Sequence, residues 1–556
     1  MRRNLIPATA IGAATFAVLF GPGVLDPRNV GWLAFGDSPT QQLGWEFYRQ
    51  QPWTWPLGLL PSYGMELGGS LVYTDSIPLL AIPFKLLSPM LPPTFQYFGL
   101  WILLCLVLQA HFAWRILSLF VDSLAAVAAG TTMLSISPIM LWRLSPEVSQ
   151  WSLGGQFTLL AALYLALRPW PTRQWLWWFV LLTATTAIHA YLLVMATAVW
   201  VADLVQRRHE RKTSSDAVRS LLLPPLGILG TALATGYFVV GAGVLSGGFG
   251  YFKASPVAFI DPGLGIDPGV ASWRWSQLLP DLPPYTQQIE GFNYLGLGVL
   301  LLLALAAFSA PSAADSAVRA IRRWPWLAVM LALLGMFALS NRIGGEHTYL
   351  QVPLPQALEE LANIFRASGR MLWLSTYALT LFAIIVVVRI APRKLGLGLL
   401  IACVCVQVWD TSPAWSRLHR VYSTTAAARF MTAPEGEFWN EATERYRNIR
   451  TLPFRTLNPP VGWGALSSLA LQHDMRTDAV YLARIDVHRA EQRNQTAMRW
   501  VRSGCYPKDT LFIVQPEVAM RVRQSLDPSR DLLTTVDGMV VLAPGWYDDS
   551  RCSSRN

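Results

Sequence analysis

Apolar residues run in long, nearly unbroken stretches from the N-terminus to about residue 411, and polar residues are squeezed into short gaps between them. A bilayer core takes about 20 mostly apolar residues per helix. On that criterion the pattern predicts membrane helices near 5–22, 95–113, 119–138, 153–168, 174–188, 191–206, 221–243, 293–310, 325–340, 372–390 and 396–411, about eleven in all. The run from Trp175 to Leu204 is long enough for one tilted helix, but it divides into two around His189, Ala190 and Tyr191. That division keeps its flanking basic clusters on one side of the membrane. Five prolines between 78 and 93 make that stretch an interfacial or re-entrant segment instead of a span.

Beyond residue 411 the pattern changes. Ala479 to Ile485, Thr510 to Val514 and Met539 to Leu542 read as strands, and Ala490 to Val501 and Glu517 to Leu526 carry helical periodicity. The expected architecture is therefore mainly α, a polytopic helical membrane domain over 1–411, followed by a small α/β domain over 412–556. Long segments at about 23–93, 244–292 and 341–371 connect the helices on the outer side.

Composition agrees with lipid as the main solvent, since 53% of residues are hydrophobic and only 14% charged. The net charge of +10 does not imply nucleic acid, because Arg and Lys concentrate in the gaps. Arg2 and Arg3, Arg115, Arg168 and Arg173, the cluster Arg207 to Arg219, Arg319 to Arg323, and Arg389 to Lys394 fall on one side if the helices alternate. This is the positive-inside distribution. It puts the N-terminus in the cytoplasm, with the first apolar run as a retained helix, and an odd number of helices puts the tail outside. The expected location is a bacterial inner membrane. Cys505 and Cys552 then share an oxidising compartment and are expected to form a disulfide, while Cys105, Cys403 and Cys405 lie in apolar runs. No cysteine or histidine spacing suits a metal, and nothing supports a divalent ion beyond its being possible.

The first outer segment reads FGDSPTQQLGWEFYRQQPWTWPLG from Phe35 to Gly58, then VYTDSIPLLAIPFK from Val72 to Lys85. Asp37, Arg49 and Asp75 lie among the aromatic residues Trp45, Trp53 and Trp55. Asp37 and Asp75 suit helix caps or turns, and the tryptophans suit an interfacial belt. Equally, Asp37 suits a carboxylate at the mouth of a cavity, with Gln41 and Gln42 beside it and Trp45 and Trp53 offering faces to a sugar ring. A carboxylate directly after the first of about eleven helices resembles the GT-C superfamily of glycosyltransferases. The GD…GW.FYR..PW..PLG pattern, QIEGFNYLG (Gln288 to Gly296) and IFRASGRMLW (Ile364 to Trp373) resemble more closely a family of bacterial membrane proteins of unassigned function, over most of 30–415.

The GT-C resemblance implies a sugar carried on polyprenyl phosphate, membrane lipid as the immediate partner, and a glycan, lipid or protein acceptor at the outer face. It implies Asp37 as general base. Arg366 and Arg370, four apart and on one face if the segment is helical, are expected to hold the donor phosphate. Glu290, Asn293 and Tyr294 would bind sugar hydroxyls or cap a helix, and His189, Tyr191 and His347 are further candidates at outer turns. No HExxH, GxSxG or GxxxxGK motif stands where its chemistry needs it, which disfavours protease, hydrolase and nucleotide-driven readings. Two other readings stand beside the transferase: a transporter or flippase for a lipid-linked or polar solute, and a scaffold for envelope assembly.

Overall fold

The computed structural model describes residues 5–169, 173–209, 217–241, 248–263, 274–282, 288–308, 310–344, 349–424, 430–454, 462–482 and 484–548. Its helices up to residue 235 are α1 (Ile6–Leu19), α2 (Ser38–Gln50), α3 (Pro78–Leu86), α4 (Phe98–Phe120), α5 (Leu124–Ser135), α6 (Pro138–Arg143), α7 (Phe157–Leu167), α8 (Gln174–Thr186), α9 (Ala190–His209) and α10 (Ala217–Thr235). The next seven are α11 (Gln288–Gly291), α12 (Leu297–Phe308), α13 (Ala310–Arg323), α14 (Pro325–Leu339), α15 (Gln356–Asn363), α16 (Trp373–Ile390) and α17 (Arg393–Thr424). The C-terminal region adds α18 (Glu437–Arg445), α19 (Trp463–Gln472), α20 (Val487–Ser503) and α21 (Pro516–Ser525).

Two compact units emerge, and neither is a single stretch of chain. One comprises Met1–Trp32, Thr94–Thr231 and Ser246–Ala427, and the other Leu33–Pro93, Ala232–Leu245 and Ala428–Asn556.

The first unit is a helical assembly in which α4 packs against α1, α5 and α7, and α12 packs against α16 and α17. Among the described residues six helical stretches are long and apolar enough to cross a membrane: Phe98–Phe120, Leu124–Arg143, Ala190–Arg208, Ala217–Thr235, Ser368–Ile390 and Arg393–Ser423. The bent pair α12 and α13 adds a seventh if it is counted as one span. Every one of the eleven apolar windows contains a helix, yet four of those helices are short and belong to none of these spans. They are α1, α7, α8 and α14, with 14, 11, 13 and 15 residues. At 1.5 Å per residue none reaches the roughly 30 Å of a hydrocarbon core alone. The run around His189 is divided as expected, α8 ending at Thr186 and α9 starting at Ala190.

The second unit holds a five-stranded sheet of order β4-β3-β5-β7-β6, taking β1 (Arg342–Gly344) and β2 (Tyr349–Gln351) as a separate hairpin in the first unit. The strands are β3 (Asn448–Leu452), β4 (Arg476–Thr477), β5 (Thr510–Val514), β6 (Leu532–Val536) and β7 (Met539–Ala543). β3 runs parallel to β4 and β5, and β7 runs antiparallel to β5 and β6. Leu452, Val501, Phe512, Val514, Val522 and Leu542 form its core with α20 and α21.

Among the described residues of Ala479 to Ile485, the predicted strand does not form. The ladder stops at Thr477 because the next residue, Asp478, turns its carboxylate onto β3 and accepts from the Thr451 N–H at 2.6 Å. Residues between α2 and α3 cover the edge instead, the Thr477 N–H donating to Ser62 O and the Gly64 N–H to Thr477 O, each at 2.9 Å. An open edge strand invites pairing with another chain, and this pairing closes it.

Candidate functional site

In the first unit the EGFNYLG and FRASGR motifs meet. Gly369 and Gly291 face each other so closely that a Cβ on Gly369 would lie 2.6 Å from Gly291 Cα, and one on Gly291 would lie 2.1 Å from Lys253 O. Three backbone segments therefore cross where no side chain fits. Asn293 ties them, its Nδ2 donating to Gly291 O at 2.9 Å and to Gly369 O at 3.1 Å, while Thr376 Oγ1 donates to its Oδ1 at 3.2 Å.

Glu290 sits beside this crossing and collects two guanidinium groups. Arg370 donates through Nε and Nη2 to its two oxygens at 2.7 and 2.8 Å, and Arg143, fully buried on α6, donates through Nη1 at 2.8 Å. Gln150 Nε2 adds a longer contact of 3.4 Å. Burial alone would raise the Glu290 pKa, but the charges of Arg143 and Arg370 and the hydrogen bonds from Arg370 and Gln150 outweigh it, holding the carboxylate ionised far below its ordinary range. The Arg370 guanidinium also lies 4.6 Å from the centre of the Tyr191 ring, whose hydroxyl accepts from the Ala367 N–H at 2.9 Å. His189 stands next to that tyrosine, Nδ1 accepting from the Tyr191 N–H at 3.1 Å.

Arg366 goes elsewhere. The helix that would put Arg366 and Arg370 on one face does not form: α15 ends at Asn363 and a 3-10 turn begins only at Ser368, so no α-helix carries both. The tight crossing at Gly369 forces that course. Arg366 lies 5.5 Å from the Phe252 ring, against the segment 248–253. The same segment gathers two more cations. Lys253, buried, donates to Arg342 O, and both Lys253 and Arg342 stand 5.9 Å from the Tyr349 ring. Burial first, then the Arg342 charge, pulls the Lys253 pKa down. Among the described residues no carboxylate makes an ion pair with Lys253, Arg342 or Arg366. Sequence reasoning missed Lys253 and Arg342, which lie in segments without periodicity.

Tyr294 is directed into a third place, its hydroxyl donating to Asp410 Oδ2 at 3.0 Å. His347 lies outside the described residues.

The remaining candidates belong to the second unit. Asp37 occupies the N-cap position of α2, yet its side chain makes no capping hydrogen bond there, and it is partly exposed. Gln41 and Gln42 are buried on α2, with Gln42 Nε2 donating to Glu46 Oε1 at 2.8 Å and Gln41 O accepting from Ser76 Oγ at 2.8 Å. Trp45 is fully buried, so its faces are used in packing. Asp75 sits in a turn with φ +55°. Arg49 pins the turn after α3, donating to Ser88 Oγ at 3.0 Å, Leu91 O at 3.2 Å and Pro93 O at 2.8 Å. Trp53 is exposed and stacks edge-on to Tyr48 at 6.2 Å. Cys505 is disulfide-bonded and Cys105, Cys403 and Cys405 are free, whereas Cys552 lies outside the described residues.

An ion-pair network unseen in the sequence joins the segment before α3 to the sheet. Arg450 on β3 donates to both Glu66 oxygens at 2.6 and 3.2 Å, and Arg493 Nη2 reaches Asp478 at 3.2 Å. Among the described residues no group of three or more His, Cys, Asp and Glu is placed to hold a metal ion.

Residues 9–412 match the family described as "Domain of unknown function (DUF6311)", and residues 438–544 match the "DUF6311 C-terminal domain". No curated protein matches the chain.

Proposed function

We propose that this chain, which belongs to the DUF6311 family, is a GT-C-type glycosyltransferase moving a sugar from a polyprenyl-phosphate donor to an acceptor outside the cytoplasm. The observation that carries the reading is the trio Lys253, Arg342 and Arg366. Arg342 and Lys253 disfavour one another as like charges, among the described residues no carboxylate pairs with them or with Arg366, and a phosphate beside the 248–253 segment relieves that cost. Guanidinium forks also match phosphate oxygens in pairs. Arg370 takes a different role from the one its motif suggested: with Glu290 and Arg143 it holds the crossing that positions the 248–253 segment.

In the proposed reaction Asp37 accepts the proton of the acceptor hydroxyl as that oxygen bonds to the anomeric carbon. The bond from that carbon to the phosphate oxygen breaks, and its electron pair leaves on polyprenyl phosphate. This reading takes all eleven apolar helices as membrane-embedded, the short ones included. It puts the N-terminus in the cytoplasm of a bacterial cell and the second unit outside the inner membrane.

The test is complementation of the surface-glycan or envelope phenotype of a deletion strain by Asp37→Asn, with membrane abundance measured alongside. General-base help amounts to about 10²- to 10⁴-fold in rate, so Asp37→Asn at normal abundance is expected to fail. Full complementation would remove the assignment and favour transport or scaffolding.

A further inference from the structure

The second unit carries an exposed apolar surface built from the 51–56 segment and the end of α3. Met90 is 84% exposed, Trp55 69% and Leu86 67%, and Leu87 and Trp53 are exposed beside them. Such side chains usually scatter singly over a soluble surface, and a cluster of five calls for an occupant. These are also rigidly presented. Arg49 fixes the Ser88–Pro93 turn with its hydrogen bonds to Ser88, Leu91 and Pro93, so Leu87 and Met90 cannot fold back under α3. Lys85 holds the other half of the surface, its Nζ 4.1 Å from the centre of the Tyr48 ring and 4.7 Å from that of Trp53.

We infer that this surface inserts into the lipid interface of the membrane, with Trp53, Trp55, Leu86, Leu87 and Met90 at the acyl boundary and Arg49 near the headgroups. Three features select lipid over protein. The first is composition: exposed tryptophans next to aliphatic side chains and cations make up the usual interfacial girdle. The second is charge, since Arg49, partly exposed at this surface, is positive and matches anionic headgroups, while Lys85 is buried against the Tyr48 and Trp53 rings. The third is covalent reach. Pro93 is five residues from the start of α4 at Phe98, a span-length helix, and five residues extend at most about 18 Å. α3 has nine residues, too few to cross, so the segment lies in the interface. The inference stands independently of the transferase reading.

The test uses the full chain with Cys105, Cys403 and Cys405 replaced by Ala, reconstituted in phosphatidylcholine and phosphatidylglycerol bilayers. Nitroxide labels go on Leu86→Cys and Met90→Cys, with Glu441→Cys on α18, partly exposed and away from this surface, as control. Collision with oxygen, which partitions into lipid, is compared with collision with a water-soluble nickel chelate. The ratio of oxygen to nickel collisions is expected to be several-fold higher at 86 and 90 than at 441, at depths of about 5–10 Å. A ratio equal to the control at both positions would place the surface in water and overturn the inference. Exclusion of both reagents would also overturn it, by showing that protein covers the surface.

Discussion

The Arg370 guanidinium grips Glu290 with two parallel hydrogen bonds, Nε to Oε2 at 2.7 Å and Nη2 to Oε1 at 2.8 Å. With Arg143 on the other side, the carboxylate is the counter-charge for two nearly buried cations. Removing one partner of a buried pair costs about 3–5 kcal/mol, because it strands the rest without water. Glu290→Gln is therefore expected to lower the unfolding temperature in detergent markedly, whatever the protein's activity. An unchanged unfolding temperature would mean the triad carries no structural role.

The pH dependence of that effect has a defined sign. The folded-state pKa of Glu290 lies below its ordinary 4.5, so its contribution is complete above 4.5 and is lost as pH falls through the depressed value. The stability difference between wild type and Glu290→Gln should be constant from about pH 5 to 8 and should shrink below 4.5. A difference that fades already between about pH 8 and 6 would contradict the ionised triad.

Cys505 should resist alkylation in protein purified without reductant and become reactive after reduction, as fits a domain in an oxidising compartment. The expected partner is Cys552, about 50 residues away along the chain, and the chain-entropy estimate for such a loop is about 3–4 kcal/mol. Peptide mapping that finds Cys505 as a free thiol would contradict this.

Sidedness follows from the helix count. Six spans would return the chain to the side of its N-terminus, whereas seven or eleven would put its end on the opposite side. Reporter fusions after Arg219 and after Asn556 are expected to read cytoplasm and outside. A cytoplasmic signal from the C-terminal fusion would undo both the disulfide environment and the outer placement of the second unit.

Much of the helical pattern was legible because burial in lipid writes itself as long apolar runs, and even the break at His189 followed from the charges flanking it. Lateral pairings were not legible. Arg370 looks like a phosphate ligand beside Arg366 until Glu290, 80 positions away, claims it. No periodicity links those two motifs. Strand β3, NIRTL, was missed because Arg450 interrupts the apolar alternation, its charge being spent on Glu66. Ala479 to Ile485 has the composition of a strand, but the hydrogen bonds of its described residues go to loops and side chains. Lys253 and Arg342 escaped notice since nothing in sequence says that 248–253 and the β1 strand converge.

The central claim is that the Lys253, Arg342 and Arg366 group holds the phosphate of a polyprenyl carrier. Native mass spectrometry of the purified protein titrated with a short-chain polyprenyl monophosphate measures this, with the neutral polyprenol and inorganic phosphate as comparisons. The account predicts one polyprenyl phosphate bound by the wild type, little binding of the alcohol, and at least tenfold weaker binding by a Lys253→Gln, Arg342→Gln, Arg366→Gln variant that retains the parental unfolding temperature. Equal binding by that folded variant, or no discrimination between phosphate and alcohol by the wild type, would contradict it.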